Sequence, residues 1–214
     1  MAELSVPLIE AYAKKWLADT YCLSRNCYPQ SDDGKPHFRI LELYELLDYY
    51  DRILNLDVDL VITPNCPNPF DEVPENAIGT VFEDVGPRIP ARRKTIQDAQ
   101  KKFGDIGWKE GYINDGVSVF SKCHKEIFNP NIPLYTAWGS DDVHLGYYIH
   151  KLGFPIHQLN YKWNHMISSE PGRNESRYES YIIHYAGSGL FDEAHILNRF
   201  EQMQHDYEHF YGKH

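Results

Sequence analysis

Apolar residues recur at helical spacing near the start of the chain, where Val6, Ile9, Tyr12, Ala13, Trp16 and Leu17 fall on one stripe. With Ser5 as its cap and Pro7 in its first turn, this stripe predicts a helix over residues 5–18. Residues 20–23 read as a short strand, and the polar stretch 25–35, broken by Pro29 and Gly34, as a loop. Pro36 opens a second predicted helix that runs to Tyr50, with Ile40, Leu41, Tyr44 and Leu47 on its apolar face. A strand over Arg52–Leu56 follows; its apolar run stops at Asp57-Val58-Asp59 and resumes at once with Leu60, Val61 and Ile62. After Pro64, Pro67 and Pro69, further strands are predicted over 77–82, beyond the turn-forming Asn114-Asp115-Gly116, over 154–157 and over 181–187. Two more helices are predicted over 143–152 and 192–210. Helix and strand alternate as in an α/β sheet with parallel strands, and the length favours one domain over residues 1–214.

The interruption at Asp57 and Asp59 is the first sign of chemistry. Carboxylates at the end of an apolar strand are costly unless something cationic meets them. In extended chain, residues two apart share a face with α-carbons roughly 6.5 Å apart. Their carboxylates can then converge on one hard divalent cation at about 2.0–2.6 Å. A cation held with open positions binds phosphate oxygens and stabilises a departing diphosphate. By itself the tripeptide carries little, because most such pairs are loop acids or helix caps.

Charge narrows the partners. Asp and Glu number 31 against 21 Lys and Arg, and the net charge of −10 speaks against general binding to nucleic acid or anionic membranes. No run approaches the roughly 20 apolar residues of a membrane span, and the N-terminus lacks the pattern of a secretory signal. A cytoplasmic protein is therefore expected. Cys22, Cys27, Cys66 and Cys123 show no metal-type spacing and read as reduced thiols, and without a secretory signal the sequon Asn174-Glu175-Ser176 carries no consequence. The 16 tyrosines suit half-wet surfaces that stack on sugars or bases, although core use is commoner.

Other candidates each have a plainer reading. Arg92, Arg93, Lys94, Lys101 and Lys102 form a basic cluster that could face an anion, but a solvated helix face explains it as well. Asn114-Asp115-Gly116 suits a hairpin turn. Of Asp141 and Asp142, one can cap the following helix while the other projects into a cleft at the strand ends. His184 reads as a satisfied core histidine until something else requires it.

Taken in order, four stretches resemble the GT-A glycosyltransferases, of the retaining type found in families eight and thirty-four. Tyr50-Asp51-Arg52-Ile53-Leu54-Asn55-Leu56-Asp57-Val58-Asp59 resembles the strand with its Asp-x-Asp, and Asn68-Pro69-Phe70-Asp71 the turn after it. Asn114-Asp115-Gly116-Val117 resembles the strand start that lines the donor-sugar pocket, and His184-Tyr185-Ala186-Gly187 the His-Tyr-x-Gly segment. The resemblance extends over most of the chain from about residue 36. It implies a Rossmann-like fold with a mixed, mostly parallel central sheet flanked by helices. It also implies a metal site of Asp57, Asp59 and His184, holding Mn²⁺ or Mg²⁺ as suits oxygen ligands with one imidazole. Arg39, Asp57, Asp84, Asn114, Asp115, Gly116 and Gly187 would contact the donor, a UDP-sugar, and an oligosaccharide or glycoprotein glycan would be the acceptor. Asp141 and Asp142 would be the catalytic acids. In retaining relatives this region stabilises an oxocarbenium-like centre. Trp138-Gly139-Ser140-Asp141-Asp142 is also similar to the Trp-Gly-x-Glu-Asp motif of inverting enzymes, whose second acid is a general base. The metal and His-Tyr-x-Gly pattern favours retention. In length and pattern the chain is similar to an N-terminal chlorella-virus glycosyltransferase domain, which would make it virus-encoded.

The sequence departs from those relatives in two places. It opens on the helix that would follow a base-binding strand, so uridine specificity is inferred only. Ser188-Gly189-Leu190 also replaces the usual Lys-Pro-Trp and removes a cation expected near the diphosphate, for which the cluster at Arg92 is a substitute to test. Two rival classes remain. A haloacid-dehalogenase phosphatase would use Asp57 as nucleophile, but Leu60 stands where that fold wants glycine. A non-catalytic glycan-binding module would bind sugar without releasing diphosphate.

Overall fold

The computed structural model describes residues 1–25, 29–32, 34–169, 176–187 and 198–212. In chain order the elements are α1 (Ala2–Lys15), a 3₁₀ segment (His37–Glu42), α2 (Leu43–Leu46), β1 (Arg52–Leu56), β2 (Leu60–Ile62), α3 (Pro69–Glu72), β3 (Ile78–Phe82), α4 (Ile89–Phe103), β4 (Ile113–Ser121), α5 (Ser140–Leu152), β5 (Ile156–Gln158), β6 (His165–Met166), β7 (Ile182–His184) and α6 (Arg199–Tyr211). They divide into two compact units, one of Met1–Tyr21, Leu56–Asn68 and Leu159–His214, the other of Cys22–Asn55 and Pro69–Gln158. No described helix is long and apolar enough to cross a membrane.

The larger unit carries a sheet in the order β1-β4-β3-β5, with β3 antiparallel to β4 and parallel to β5. Its core gathers Phe38, Leu41, Ile78, Ile113, Phe120, Val143, Leu145 and Ile149, all fully buried. In the smaller unit the order is β2-β7-β6, with β7 antiparallel to β2 and parallel to β6. There Val61, Ile167, Ile183, Tyr185 and Met203 pack together under α1 and α6. The fold is mixed α/β as expected, and its strands form two sheets, each with an antiparallel and a parallel pairing.

Several elements differ from the sequence reading, each for a physical reason. The helix predicted over 36–50 is a 3₁₀ segment running into a single α turn, in which Phe38, Ile40, Leu41, Glu42 and Leu43 are all buried rather than one helical stripe. Ser5 does not cap α1; it lies inside the helix, buried, and its hydroxyl donates to the Val58 carbonyl at 2.6 Å. Residues 20–23 form no strand, and Thr20, Tyr21 and Cys22 are exposed. The last helix starts at Arg199 behind a capping box of Asn198 and Glu201, and residues 192–197 lie outside the described ones. Cys22, Cys66 and Cys123 are free thiols, and Cys27 falls outside the described residues.

Asn114-Asp115-Gly116 is not a hairpin turn. It sits within β4, where the pairing Gly79 with Val119 and Val81 with Asn114 sets two steps on β3 against five on β4. The surplus forms a bulge, a device that re-aims side chains out of a ladder. Side chains take over the lost backbone bonds. Asn55 Nδ2 donates to the Asp115 carbonyl at 2.7 Å, the Asp115 N–H donates to Asp142 Oδ1 at 2.8 Å, and Thr80 Oγ1 donates to the Asn114 carbonyl at 2.8 Å.

Candidate functional site

In the smaller unit, Asp57, Asp59 and His184 come together with one ligand atom each, all within 4.8 Å of one another. Strand pairing is responsible. β2 and β7 run antiparallel with Leu60 opposite His184, and the Tyr185 N–H donates to the Asp59 carbonyl at 2.8 Å. The two aspartates are not two steps along an extended strand, as the sequence suggested; Val58 and Asp59 form a bend between β1 and β2. Ser5 of α1 holds that bend through the Val58 carbonyl.

The three groups are graded in exposure. The His184 side chain is 1% exposed, Asp59 20% and Asp57 51%, so the cluster has a closed inner end and an open outer one. His184 Nδ1 lies 2.9 Å from Asn164 Oδ1. An amide oxygen only accepts, so Nδ1 carries the hydrogen and Nε2 is the atom turned to the carboxylates. Nε2 stands 3.2 Å from Asp59 Oδ1 and 3.4 Å from Asp57 Oδ2, yet it is buried without a well-aligned hydrogen bond to either. Ligands at right angles around a cation at about 2.2 Å lie about 3.1 Å apart, so these spacings fit a shared divalent ion. Two carboxylates with one imidazole suit Mn²⁺, with Mg²⁺ next. Without such an ion a proton does the same work. Burial opposes the imidazolium, but the close carboxylates of Asp57 and Asp59 prevail and raise His184 to about 10. Burial likewise pushes the Asp59 carboxyl upward, and His184 with Arg199 brings it below its ordinary range.

Neither Asn164, at the entry to β6, nor Arg199, at the start of α6, was singled out by the sequence reading. Arg199 Nη1 lies 3.4 Å from Asp59 Oδ2 and donates to the Gly187 carbonyl at 2.8 Å. No spacing rule links Asn164 to His184 or Arg199 to Asp59; only the pairing of β6 with β7 and the approach of α6 bring them together. Gly187 follows β7 with φ of +83°, and Ser188-Gly189-Leu190 lies outside the described residues.

The larger unit gathers Asp115, Asp141 and Asp142, again within 4.8 Å by their ligand atoms. Neither acid of α5 caps the helix. Gly139 holds the N-cap in a left-handed conformation, φ +74°, where a Cβ would run into the Tyr112 hydroxyl. Asp142 instead accepts the bulge N–H of Asp115, and Asp141 Oδ2 lies 3.2 Å from His37 Nδ1. Burial first, then the charges of Asp141 and Glu83, push the Asp142 carboxyl well above its usual range, against the Asp115 hydrogen bond.

The other residues that the resemblance assigns to a donor sit in a dense polar network. Asn114 Nδ2 donates to Glu83 Oε1 at 2.8 Å, and the Gly116 N–H donates to Asn114 Oδ1 at 3.2 Å. Asp84 takes the N–H groups of Gly111 and Tyr112, each at 3.0 Å. The basic cluster is already engaged. Arg92 and Arg88 bind Glu83, Arg93 binds Asp84 and Glu110, and Lys94 and Lys101 share Asp98. Arg39 is half-buried in the 3₁₀ segment, and the Glu42 carboxylate beside it accepts the Arg25 N–H at 2.7 Å. Glu83, buried and joined to two arginines and Asn114, is a third residue not singled out by the sequence reading, hidden there behind its neighbour Asp84.

Neither a protein-family model nor a curated protein matches the chain. Solved structures do. One is a glycosyltransferase involved in the glycosylation of the major capsid of PBCV-1, at a TM-score of 0.61 and 17% identity over 95% of this chain and 91% of the other. The fold is that of a GT-A-type glycosyltransferase. The bifunctional glycosyltransferase WbbM matches with a TM-score of 0.52 and 17% identity over 80% of this chain, which spans 37% of WbbM.

Proposed function

We propose that the chain is a metal-dependent glycosyltransferase that moves a hexose or deoxyhexose from a UDP-sugar to a hydroxyl of an oligosaccharide or glycoprotein glycan. The observation that carries this reading is the convergence of Asp57, Asp59 and an Nε2-presenting His184 at a cluster open on one side. The GT-A-type fold supports it, as does the glycosylating role of the capsid-modifying enzyme that shares that fold. When bound, Mn²⁺ or Mg²⁺ would neutralise a diphosphate and stabilise it as a leaving group. His184, Asp57 and Asp59 would hold that ion, with Asn164 fixing the imidazole. Arg39, Asp84, Asn114, Asp115, Gly116 and Gly187 are the proposed donor contacts, and Asp141 and Asp142 the catalytic acids. Their environments divide the work between these two. Asp142 is held towards its protonated form and positions the Asp115 bulge, which suits a general base poorly. Asp141, beside His37, is the carboxylate left to stabilise positive charge at the anomeric carbon, in keeping with retention.

A panel of UDP- and GDP-sugars, screened by thermal shift with and without Mn²⁺, tests the donor class, since a ligand of the native state raises its melting temperature. At least one UDP-sugar should stabilise the protein only with the metal. No response to any nucleotide-sugar, together with turnover of a phosphomonoester such as p-nitrophenyl phosphate, would overturn the reading in favour of a phosphatase. Proton NMR of the product's anomeric configuration decides retention.

A further inference from the structure

Arg199 stands where a cation is hard to justify by metal binding alone. The two oxygens of Asp59 are divided: Oδ1 faces His184 Nε2 at 3.2 Å, and Oδ2 faces Arg199 Nη1 at 3.4 Å. A guanidinium fixed on a carboxylate that must also hold a dication repels that dication and weakens its binding. The arginine is nonetheless held in place, by its bond to the Gly187 carbonyl and by the capped first turn of α6. Its side chain is 40% exposed where that of His184 is 1%. Among the described residues only Nη1 is engaged, so Nε and Nη2 keep their donors. A planar fork of donors beside a metal-loaded carboxylate matches the non-bridging oxygens of a phosphate.

We infer that Arg199 is a diphosphate-binding residue: it contacts the phosphate oxygens of a nucleoside diphosphate whose other oxygens lie on the ion held by Asp57, Asp59 and His184. The inference rests on the metal-site reading above and adds a ligand contact to it. Its signature is a pair of effects of opposite sign. The charge that hinders the metal alone helps the metal and anion together.

The test uses the full chain, with Mn²⁺ and UDP as probes in titration calorimetry. Arg199→Ala should leave Mn²⁺ affinity unchanged or tighter, and weaken UDP binding at saturating Mn²⁺ by about ten- to a hundredfold, the range for a lost hydrogen bond to a charged group. Arg199→Lys should restore part of the UDP affinity, and a matching melting temperature for the two variants excludes unfolding as the cause. Unchanged UDP affinity in Arg199→Ala would overturn the inference while leaving the metal site standing. Equal weakening of Mn²⁺ and UDP would overturn it too, by making Arg199 a positioning residue for Asp59. Should the unaltered protein bind Mn²⁺ but no UDP, or neither, the glycosyltransferase reading itself falls, a result separate from any behaviour of the variants.

Discussion

Two clusters of acids in this chain meet the same distance criterion and are built in opposite ways. Asp57 and Asp59 are answered by cationic groups, an imidazole whose tautomer Asn164 fixes and a guanidinium on the other side. Asp141 and Asp142 are answered by the backbone N–H of Asp115, by His37, and by the tendency of Asp142 to keep its proton. One cluster leaves a buried nitrogen aimed at an open side, while the other uses its acids to fasten a bulge. Proximity of carboxylates therefore says little about a metal site. What neutralises them, and which donor is left unspent, says more.

The sharpest way to break this contrast is to remove one ligand from each cluster. His184→Ala or Asp59→Ala should abolish measurable Mn²⁺ binding in calorimetry, whereas Asp142→Asn should leave it intact; equal loss in both would erase the distinction. Next in size is Asp206→Ala. The buried Asp206 binds Arg177 at 2.8 Å and the Tyr185 hydroxyl at 2.7 Å, one residue beyond His184. Stranding Arg177 should cost about 3 kcal/mol of stability in denaturant melts, typical of a broken buried ion pair. Asn164→Ala should weaken Mn²⁺ by about ten- to a hundredfold with little change in melting temperature, as losing the partner that orients a metal-ligating imidazole does. Gly139→Ala should destabilise by about 1–3 kcal/mol, because alanine resists the left-handed conformation and its Cβ meets Tyr112.

The smallest effect is one of pH. Asp142 faces Asp141, Glu83, Tyr112 and the Asp115 N–H, and its folded-state pKa is raised. The folded protein then binds more protons than the unfolded chain, so this contribution is complete below the ordinary carboxylate range and lost as pH rises through the raised value. Asp142→Asn should flatten the fall of melting temperature with rising pH; an unaltered slope would show that Asp142 is not the group that titrates.

Asp57 and Asp59 were legible because acids that interrupt an apolar run are conspicuous; His184 reads locally as a core histidine and stands out only through the resemblance of His184-Tyr185-Ala186-Gly187 to a family segment. The stretch Asn114-Asp115-Gly116 was legible as a motif but not as a shape. Asn114-Asp115-Gly116 has turn residues, and only pairing with β3 turns them into a bulge. The cap expected from Asp141 or Asp142 failed for a similar reason. Gly139 could supply the left-handed start, and the bulge N–H of Asp115 was a stronger claim on Asp142.

The mixed α/β character, the net acidity and the candidacy of Asp57 and Asp59 follow from the sequence, since they depend on composition and on periods of two or three to four residues, whereas His184 is a candidate there only through the resemblance of its segment. Asn164, Glu83, His37 and Arg199 needed the tertiary structure. Asn164 meets His184, Glu83 meets Asn114, His37 meets Asp141 and Arg199 meets Asp59 across 20, 31, 104 and 140 positions respectively, where strand register and helix docking set the distances and no local period reaches.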